Sequence, residues 1–552
     1  MRFDKTSLDA LRRRLDPLDN DLIDELATGR IDRRAFLRHG SLIGLSLPIL
    51  GGIAGVFGLS AEQQAARAAT PGGTIRVGLT VPAATIDPVT IADNGGLELL
   101  IQTGEFLCVL QPDFTLKPVL AESWTHNADG SVWTFKLRPN VTFHSGGTMK
   151  AEDVIASIDR LCDPKNSSNA LSAFKGILSP GNIKKVDDLT IEFHLDGPYG
   201  TFPYVISSDN YNCVILPASY AGNFEKNWDG TGPFKLDHYT AKVSASFVRN
   251  DKYWGPKALP DRTEFTFYTD VQPQILAMQA GELDVLAQMT VAEGRALLHD
   301  SRFTIIRERS SGHEQVHMRC DTGPFVDKRV RQALALTLNR KALVRGLFNG
   351  MAVPGNDSPF GPMFPMTDTS VPQRELDLRK AHQLLEAAGH PKGFKVTLTT
   401  EDYIEIPDYA VLIQAFARKA GIDITLHIEN QNAYYGKAVF GQSDWLDSTL
   451  GITDYGHRGV PNVFLRAPLL SSGTWNAAHF KNPTFDGLVG SYSRAADLGT
   501  QRRYAKEIQE LLLDETPIIF SYFYDYLVPV KKGLTGIPPI ANRLFLAGAT
   551  MS

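Results

Sequence analysis

Two histidines and a glutamate lie at the spacing that zinc hydrolases use. Residues His313–His317 read His-Glu-Gln-Val-His, and on a helix this spacing brings both imidazoles to one zinc ion, with the glutamate as general base. Helix-breaking residues flank the motif at 310–312 and 321–324. From Glu314 to Arg319 the side chains alternate with a period of two, which is typical of a strand, and strand residues four apart are separated by about 13 Å. We therefore predict a strand, and a zinc metallohydrolase using His313, Glu314 and His317 is the alternative of another class.

The elements that position such residues are clearest between Pro118 and Arg160. The turn Asn127–Gly130 ends in a glycine that can adopt positive φ, and a β-rich run over 132–137 follows it. After two glycines the apolar spacing becomes that of a helix, with two acidic residues in its first turn. The apolar face consists of Val154, Ile155, Ile158 and Leu161. The pattern predicts a hairpin, a turn and an amphipathic helix.

Several phrases of this stretch resemble the signature of the family 5 extracellular solute-binding proteins, the peptide-, dipeptide- and nickel-binding receptors of ABC importers. The matching phrases are Leu120-Ala-Glu-Ser-Trp124, Trp133-Thr-Phe-Lys-Leu-Arg138, Phe143-His144 and Ala151-Glu-Asp-Val154. The resemblance implies an α/β, two-lobed periplasmic binding protein of type II, with the extra subdomain of the peptide-binding family and a ligand cleft between the lobes. Two positions depart from the family, since Ser145 replaces Asp and Lys150 replaces a capping Thr.

The resemblance covers residues 71–545 and implies a division of the chain. The N-terminal extension and signal peptide are residues 1–69, the first lobe is 70–118, 229–311 and 518–552, the extra subdomain is 119–228, and the second lobe is 312–517. Ser310–Gly312 is the predicted first crossing between lobes. A helix is predicted over 97–110, and a strand over 264–268 followed by a helix over 272–280 predicts a parallel sheet.

Composition excludes some classes of protein. The chain has 552 residues, 43% hydrophobic and 21% charged, with a net charge of −5, so it is long enough for several domains and has no basic footprint for nucleic acid. Its four cysteines show no C-x-x-C spacing, so neither a zinc cluster nor a redox pair is indicated, although disulfides remain possible in an oxidising compartment. No metal or other cofactor is predicted, and we expect a monomer.

The N-terminal region resembles a twin-arginine export signal. Arg33-Arg34 precede Phe36-Leu37, a glycine-interrupted apolar run covers 42–59, and Ala66-Arg67-Ala68 supplies a small-x-small cleavage site. This predicts periplasmic localisation by the twin-arginine pathway. An uncleaved membrane anchor is the alternative, because the run is just long enough to span a bilayer.

The resemblance also implies which residues hold a ligand. Asp454 matches the aspartate that meets a peptide's α-ammonium in peptide-binding members, and a desolvated ammonium requires such a carboxylate. The candidate ligand-binding residues are Asp454, its neighbours Thr453 and Tyr455, Trp475 and Asn476 in a glycine-rich loop, His313 near the hinge, and Asn94 in the first lobe. The family's Asp-Pro-Asp continuation is absent, since residues 456–461 read Gly-His-Arg-Gly-Val-Pro.

The predicted function follows from these residues and the resemblance. We expect a receptor that closes on a small solute, most simply a short peptide, and presents it to an ABC permease in the inner membrane, without catalysis. Nickel chelate, opine and oligosaccharide are the alternative ligands.

Overall fold

The computed structural model describes Ile23 and residues 72–551. The chain forms two compact units, one of residues 1–70 with 551–552 and the other of residues 71–550, and the architecture below concerns the second unit. The predicted twin-arginine segment lies outside the described residues. Within the described part, no helix combines the length and apolarity needed to cross a membrane.

Strands and helices alternate along most of the chain. The strands are β1 Thr74–Thr80, β2 Cys108–Leu110, β3 Leu116–Pro118, β4 Ala121–His126, β5 Val132–Leu137, β6 Ile183–Asp187, β7 Thr190–His194, β8 Phe234–Thr240, β9 Ser244–Arg249, β10 Arg262–Tyr268, β11 Val285–Leu286, β12 Phe303–Glu308, β13 His313–Met318, β14 Ala352–Pro354, β15 Phe394–Glu401, β16 Ile422–Glu429, β17 Leu450–Tyr455, β18 Ile518–Phe520, β19 Tyr522–Tyr524, β20 Tyr526–Lys531, β21 Leu534–Thr535 and β22 Thr550–Met551. The α-helices are α1 Asn94–Thr103, α2 Ala151–Cys162, α3 Leu171–Phe174, α4 Phe202–Val205, α5 Val271–Gln279, α6 Arg295–Leu298, α7 Lys328–Thr337, α8 Arg340–Phe348, α9 Leu378–Ala387, α10 Ile406–Arg418, α11 Gln431–Tyr435, α12 Asp444–Asp447, α13 Asn462–Arg466, α14 Pro483–Arg494 and α15 Leu498–Glu515.

Three of the sheets organise the second unit. A seven-stranded sheet has the order β12-β20-β11-β1-β10-β9-β8, a five-stranded sheet the order β16-β15-β17-β13-β18, and a four-stranded sheet the order β4-β5-β7-β6. In the first, β1 runs parallel to both β10 and β11, so the predicted β-α-β unit is confirmed. These sheets fall within the predicted first lobe, second lobe and extra subdomain respectively, with the exception of β18.

Local signals in the sequence place most helix ends. Asp327 accepts a hydrogen bond from Arg329 N at 2.9 Å, and Asn339 accepts one from Ala342 N at 3.0 Å, so both side chains cap the helices that follow them. Lys150 provides no side-chain cap for α2, although Asp153 accepts the Lys150 backbone N–H at 2.7 Å.

Two predicted features differ from the structure. The helix predicted over 97–110 is wrong in its second half, because α1 ends at Thr103 and β2 occupies Cys108–Leu110. Gly104 caps the helix, and its backbone N–H donates to Leu100 O. A Cβ at this position would lie 2.5 Å from the Val214 side chain, so a larger residue does not fit there. Residues 518–520, predicted in the first lobe, instead pair with β13 in the five-stranded sheet.

Two short segments connect the seven-stranded and five-stranded sheets. The first, residues 309–312, joins β12 to β13, and the second, residues 521–525, joins β18 through β19 to β20. The segments bind each other, since Ser310 Oγ donates to Tyr524 O at 2.6 Å and Tyr524 N donates to Gly312 O at 3.0 Å. Residues 310–312, predicted as a crossing between lobes, thus lie in a connection between two sheets. Paired connections of this kind can act as a hinge.

The four cysteines, all in the described part of the chain, are free thiols. Cys108, Cys162 and Cys213 are buried, and burial raises the pKa of each thiol. They behave as small apolar core residues.

Candidate functional site

Strands β13 and β17 set the geometry of the candidate site. They pair antiparallel, with Glu314 opposite Asp454 and His313 opposite Tyr455. Directly opposed residues project to the same face of a sheet, and successive residues to opposite faces. Asp454 therefore shares a face with Glu314, and Tyr455 shares the other face with His313.

Asp454 lies where the five-stranded sheet meets the second crossing. Its Oδ1 accepts a hydrogen bond from the Tyr524 hydroxyl at 3.0 Å, and the side chain is half-buried. Burial, with smaller contributions from the neighbouring Glu401 and Glu405, raises the pKa of Asp454 to about 7, although the Tyr524 hydrogen bond acts in the opposite direction. A cation bound next to this carboxyl group would stabilise its ionised form and so favour loss of the proton.

Glu401 ends β15 and is fully buried beside Asp454. Its Oε1 accepts from Tyr435 Oη at 2.8 Å and, more weakly, from Asp454 N at 3.4 Å, and its Oε2 accepts from Gln431 Nε2 at 2.7 Å. Three protein donors satisfy this carboxylate, so its role is to hold the end of β17 and helix α11 in place.

Glu314 and Glu405 form a second acidic pair next to Asp454. Both are buried, with 2% and 7% of their surface exposed, and Glu314 Oε2 has no hydrogen-bond partner. Burial raises the pKa of Glu314 well above its usual value, with Glu405 and Asp454 adding to the shift. Burial also raises the pKa of Glu405. Two adjacent buried carboxyl groups cannot both ionise without a cation.

From this acidic group, the sequence predicted Asp454 as a ligand-binding residue and Glu314 as the general base of the zinc alternative. A local signal did exist for Glu401 and Glu405, because Glu401 is the last residue of β15 and Glu405 lies in the loop after it, and ligands bind beyond the carboxyl ends of such strands. Tyr524 carried no local signal.

The other face of β17 holds most of the remaining predicted site residues. The His313 ring stacks on the Tyr455 ring, with their centroids 5.8 Å apart, and the Tyr455 ring packs against the Trp475 ring, with their centroids 6.2 Å apart. Thr453 Oγ1 is 2.9 Å from the Tyr434 hydroxyl in the same layer. The structure thus gathers these four predicted residues into one aromatic layer and separates them from the Asp454 carboxyl group.

The polar atoms of two predicted residues are used internally. Asn476 Nδ2 donates to Leu470 O and Phe480 O, and its Oδ1 accepts from Phe480 N at 2.9 Å. His313 lies fully buried, with Nδ1 2.7 Å from Ser311 O. Both side chains therefore stabilise local chain geometry, and neither has a free polar atom for a ligand in this arrangement.

Asn94 lies at the corresponding edge of the seven-stranded sheet. It begins α1, close to the carboxyl end of β1, because a Cβ on the next residue would be 2.3 Å from Thr80 O. Its Nδ2 donates to Gln288 Oε1 at 2.9 Å, and its Oδ1 is buried without a partner. An unsatisfied buried acceptor is costly unless a ligand or water supplies a donor.

The zinc alternative loses its geometric basis. The predicted strand is confirmed as β13, and the described residues contain no group of three or more His, Cys, Asp or Glu side chains placed so that they could hold a metal ion. Burial lowers the pKa of His313 to about 4 and, with Arg319 and His479 contributing, that of His317 to about 3. Both imidazoles are neutral core residues at physiological pH.

Two concavities lie away from Asp454. One of about 1040 Å³ is lined by residues that include Asp87 and Arg160, and one of about 500 Å³ by residues that include Trp254 and Phe545. Both belong to the predicted first lobe and extra subdomain, so they are separate from the junction of the two larger sheets.

Comparisons with known proteins identify the class. Residues 115–457 match the family model described as bacterial extracellular solute-binding proteins, family 5 Middle. The heme-binding protein A of Haemophilus influenzae is 26% identical over 456 residues, covering 77% of this chain and 82% of the relative. The glutathione-binding protein GsiB of Pectobacterium atrosepticum is 26% identical over 487 residues, covering 84% and 90%.

A solved structure of low sequence identity has the same fold. The ABC transporter-associated periplasmic binding protein DppA from Helicobacter pylori, in complex with the peptide STSA, superposes with a TM-score of 0.69 at 23% identity, covering 89% of this chain and 100% of that one. The fold is therefore that of a periplasmic binding protein of the peptide-binding type.

The family match spans more than half of the chain, and this chain belongs to the family 5 bacterial extracellular solute-binding proteins. The resemblance in the sequence is confirmed. The family consists of solute-binding receptors that act outside the cytoplasm, not of enzymes.

Proposed function

We propose that this protein is the receptor of an ABC importer for a short peptide, whose α-ammonium group binds Asp454. The observation that carries the proposal is the state of Asp454. This carboxyl group lies at the junction of the two larger sheets, holds one hydrogen bond from Tyr524, and forms no ion pair with any described basic residue. A desolvated carboxylate without a protein cation is complementary to an ammonium group on a ligand.

The known relatives support a peptide ligand. One similar protein is a glutathione-binding protein and another was solved in complex with the peptide STSA, and both of these ligands carry a free amino group. In this proposal Asn94 contributes from the first lobe, because its unpartnered Oδ1 can accept a backbone N–H of the peptide.

The remaining parts of the proposal concern location and lobes. The twin arginines Arg33-Arg34 direct export to the periplasm, and an inner-membrane permease receives the ligand. The lobes follow the predicted boundaries, with residues 518–520 moved to the second lobe because they extend its sheet. Ligand contacts made only in the closed arrangement would drive closure.

The test combines native mass spectrometry with calorimetry. Protein purified from its own export compartment should carry a ligand of a few hundred daltons that fragments as amino acids, and alanyl-alanine should bind the stripped protein. Asp454→Asn should weaken that binding at least about tenfold, because it removes a charge-assisted hydrogen bond.

The matched control is Asp423→Asn, which neutralises an exposed carboxylate on β16 of the same sheet. Its affinity should equal that of the wild type. A metal adduct or a sugar as the bound ligand would contradict the proposal, as would equal peptide affinity in the Asp454→Asn variant.

A further inference from the structure

More carboxyl groups lie near Asp454 than a single ammonium group can neutralise. Glu314 lies directly opposite Asp454 across the β13–β17 pair, and Glu405 lies beside Glu314 at the start of α10. Glu401 already has three protein donors. Asp454 accepts one hydrogen bond from Tyr524, Glu314 Oε2 accepts none, and Glu405 interacts with Glu314. Of these three, only Asp454 is assigned to a peptide's α-ammonium.

Glu314 supplies an observation that points to a ligand independently of the acidic count. Glu314 is 2% exposed, and its carboxyl group faces the Tyr522 hydroxyl and Glu405, yet no hydrogen bond reaches Oε2. Because a buried acceptor without a donor is costly, proteins rarely retain one unless a further group completes it. A donor brought by the ligand would complete this one.

The opposite lobe adds negative charge and not a counterion. Glu293, in the turn before α6, faces Glu405 and raises its pKa, as does Asp408 within α10. The titratable groups around the Glu314–Glu405 pair are Asp454 on β17, Glu401 on β15, Asp408 and Tyr409 on α10, Tyr522 and Tyr524 on β19, Tyr403 in the loop before α10, and Glu293. The basic residue that acts on this set, Arg340, influences Tyr409 and is bound by Asp357 at 2.5 Å.

Resting on the proposed function, we infer that the ligand carries a second cationic group, bound by Glu314 and Glu405, next to the ammonium that binds Asp454. The ligand class is a short peptide with a basic side chain at its first residue. A second cation pairs with the buried carboxylates, supplies the donor that Glu314 Oε2 lacks, and screens the repulsion between Glu405 and Glu293 when the lobes approach. A free diamine has the same chemistry, and the experiment separates the two sources.

The experiment is calorimetric titration of the full-length protein with lysyl-alanine, alanyl-alanine and the diamine cadaverine. Lysyl-alanine should bind at least about tenfold more tightly than alanyl-alanine, since a charge-assisted hydrogen bond to a desolvated carboxylate forms only with the lysine side chain. Glu314→Gln should bring the two dipeptides to within about threefold of each other, by weakening lysyl-alanine and leaving alanyl-alanine nearly unchanged.

Two further variants test whether the loss of preference is specific to the proposed site. Glu405→Gln should produce the same loss of preference and replaces Glu314→Gln if that variant does not fold. Glu510→Gln removes an exposed carboxylate on α15 and controls for net charge, so its dipeptide preference should match that of the wild type.

Each outcome decides the matter. Equal wild-type affinity for the two dipeptides would overturn the second cation site and leave the peptide receptor intact. An equal weakening of both dipeptides by Glu314→Gln would show a structural role and also overturn the site. Cadaverine binding that depends on Glu314, without dipeptide binding, would support the two-cation site with a diamine as source and overturn the peptide receptor. Binding of none of the three would overturn both.

Discussion

At the scale of single residues, Asp454 shows how a carboxyl group is prepared for a cation. Burial removes water from it and raises its pKa to about 7, while the Tyr524 hydroxyl fixes one oxygen. A protonated carboxyl group cannot form an ion pair with an ammonium group, so ligand binding must remove the proton. Affinity and protonation are therefore linked at this residue.

The linkage predicts the pH dependence of binding. The carboxyl group of Asp454 is mostly protonated at pH 6 and mostly ionised at pH 7.5, because its pKa is about 7. The ionised fraction, and with it the affinity for alanyl-alanine, should therefore fall by about eightfold from pH 7.5 to pH 6, and calorimetry in two buffers should detect proton release on binding. An affinity that is constant over this range would show that Asp454 does not bind the ammonium group.

At the scale of elements, the paired crossings position the site. Gly312 lies against the ring of Tyr524, so that a Cβ at this position would be 2.6 Å from ring atoms. The same ring stacks on Phe348, with ring centroids 5.9 Å apart, and this contact opposes a displacement of the ring by a larger residue. Tyr524 in turn donates to Asp454, so the crossing geometry reaches the candidate site through one side chain.

Replacing that glycine tests the link. Gly312→Val should displace Tyr524, destabilise the protein by about 1–3 kcal/mol through overpacking, and weaken alanyl-alanine binding several-fold. Chemical denaturation and calorimetry measure the two effects. The control is Gly346→Ala in α8, where the added Cβ meets no atom within 4 Å, so it should stabilise the helix by about 1 kcal/mol and leave affinity unchanged. Wild-type affinity in Gly312→Val would break the proposed link.

The elements themselves were largely predictable, because their signals are local. The strand over Ile422–Glu429 and the helix starts after Asp327 and Asn339 follow from period and capping within a few residues. The predicted helix over 97–110 failed in its second half, because Gly104, a local helix-stop signal, caps the helix, and residues 108–110 form a strand through pairing with residues 116–118.

The candidate site was only partly predictable, because its members come together through strand pairing. Asp454 could be chosen by resemblance, but its separation from Tyr455 and its pairing with Glu314 depend on the register between β13 and β17. Tyr524 reaches Asp454 from 70 residues away. A period of two predicts alternation along one strand, and it does not predict which strands become neighbours.

At the scale of the whole molecule, buried ionisable groups of both types determine how stability depends on pH. Burial raises the pKa of nine described carboxyl groups, which are Glu98, Glu105, Asp159, Asp209, Glu308, Glu314, Glu405, Glu429 and Asp454. A carboxyl group whose pKa is raised by folding costs stability as pH rises from its unfolded pKa towards its folded one. The buried histidines, with pKa values lowered to between about 3 and 4, cost stability only below their unfolded value of 6.5.

Above pH 6.5 the buried histidines no longer contribute to the pH dependence of stability, and of the two types of buried group only the carboxyl groups still titrate. The unliganded protein should therefore lose stability from pH 6.5 to pH 8, with a fall of at least about 3 °C in the unfolding midpoint, measured by scanning calorimetry. Glu314→Gln should reduce that fall, because it removes one of the buried acids, whereas Glu510→Gln should not. Saturating lysyl-alanine should reduce it as well, since a ligand that binds the ionised carboxylates stabilises the folded state most at the higher pH. A midpoint that rises from pH 6.5 to pH 8 would contradict this prediction, as would an unchanged fall of the midpoint in Glu314→Gln. Either result would show that ionisation of the acids near Asp454 does not destabilise the folded protein, so that a cation-binding site does not lower the stability of the receptor.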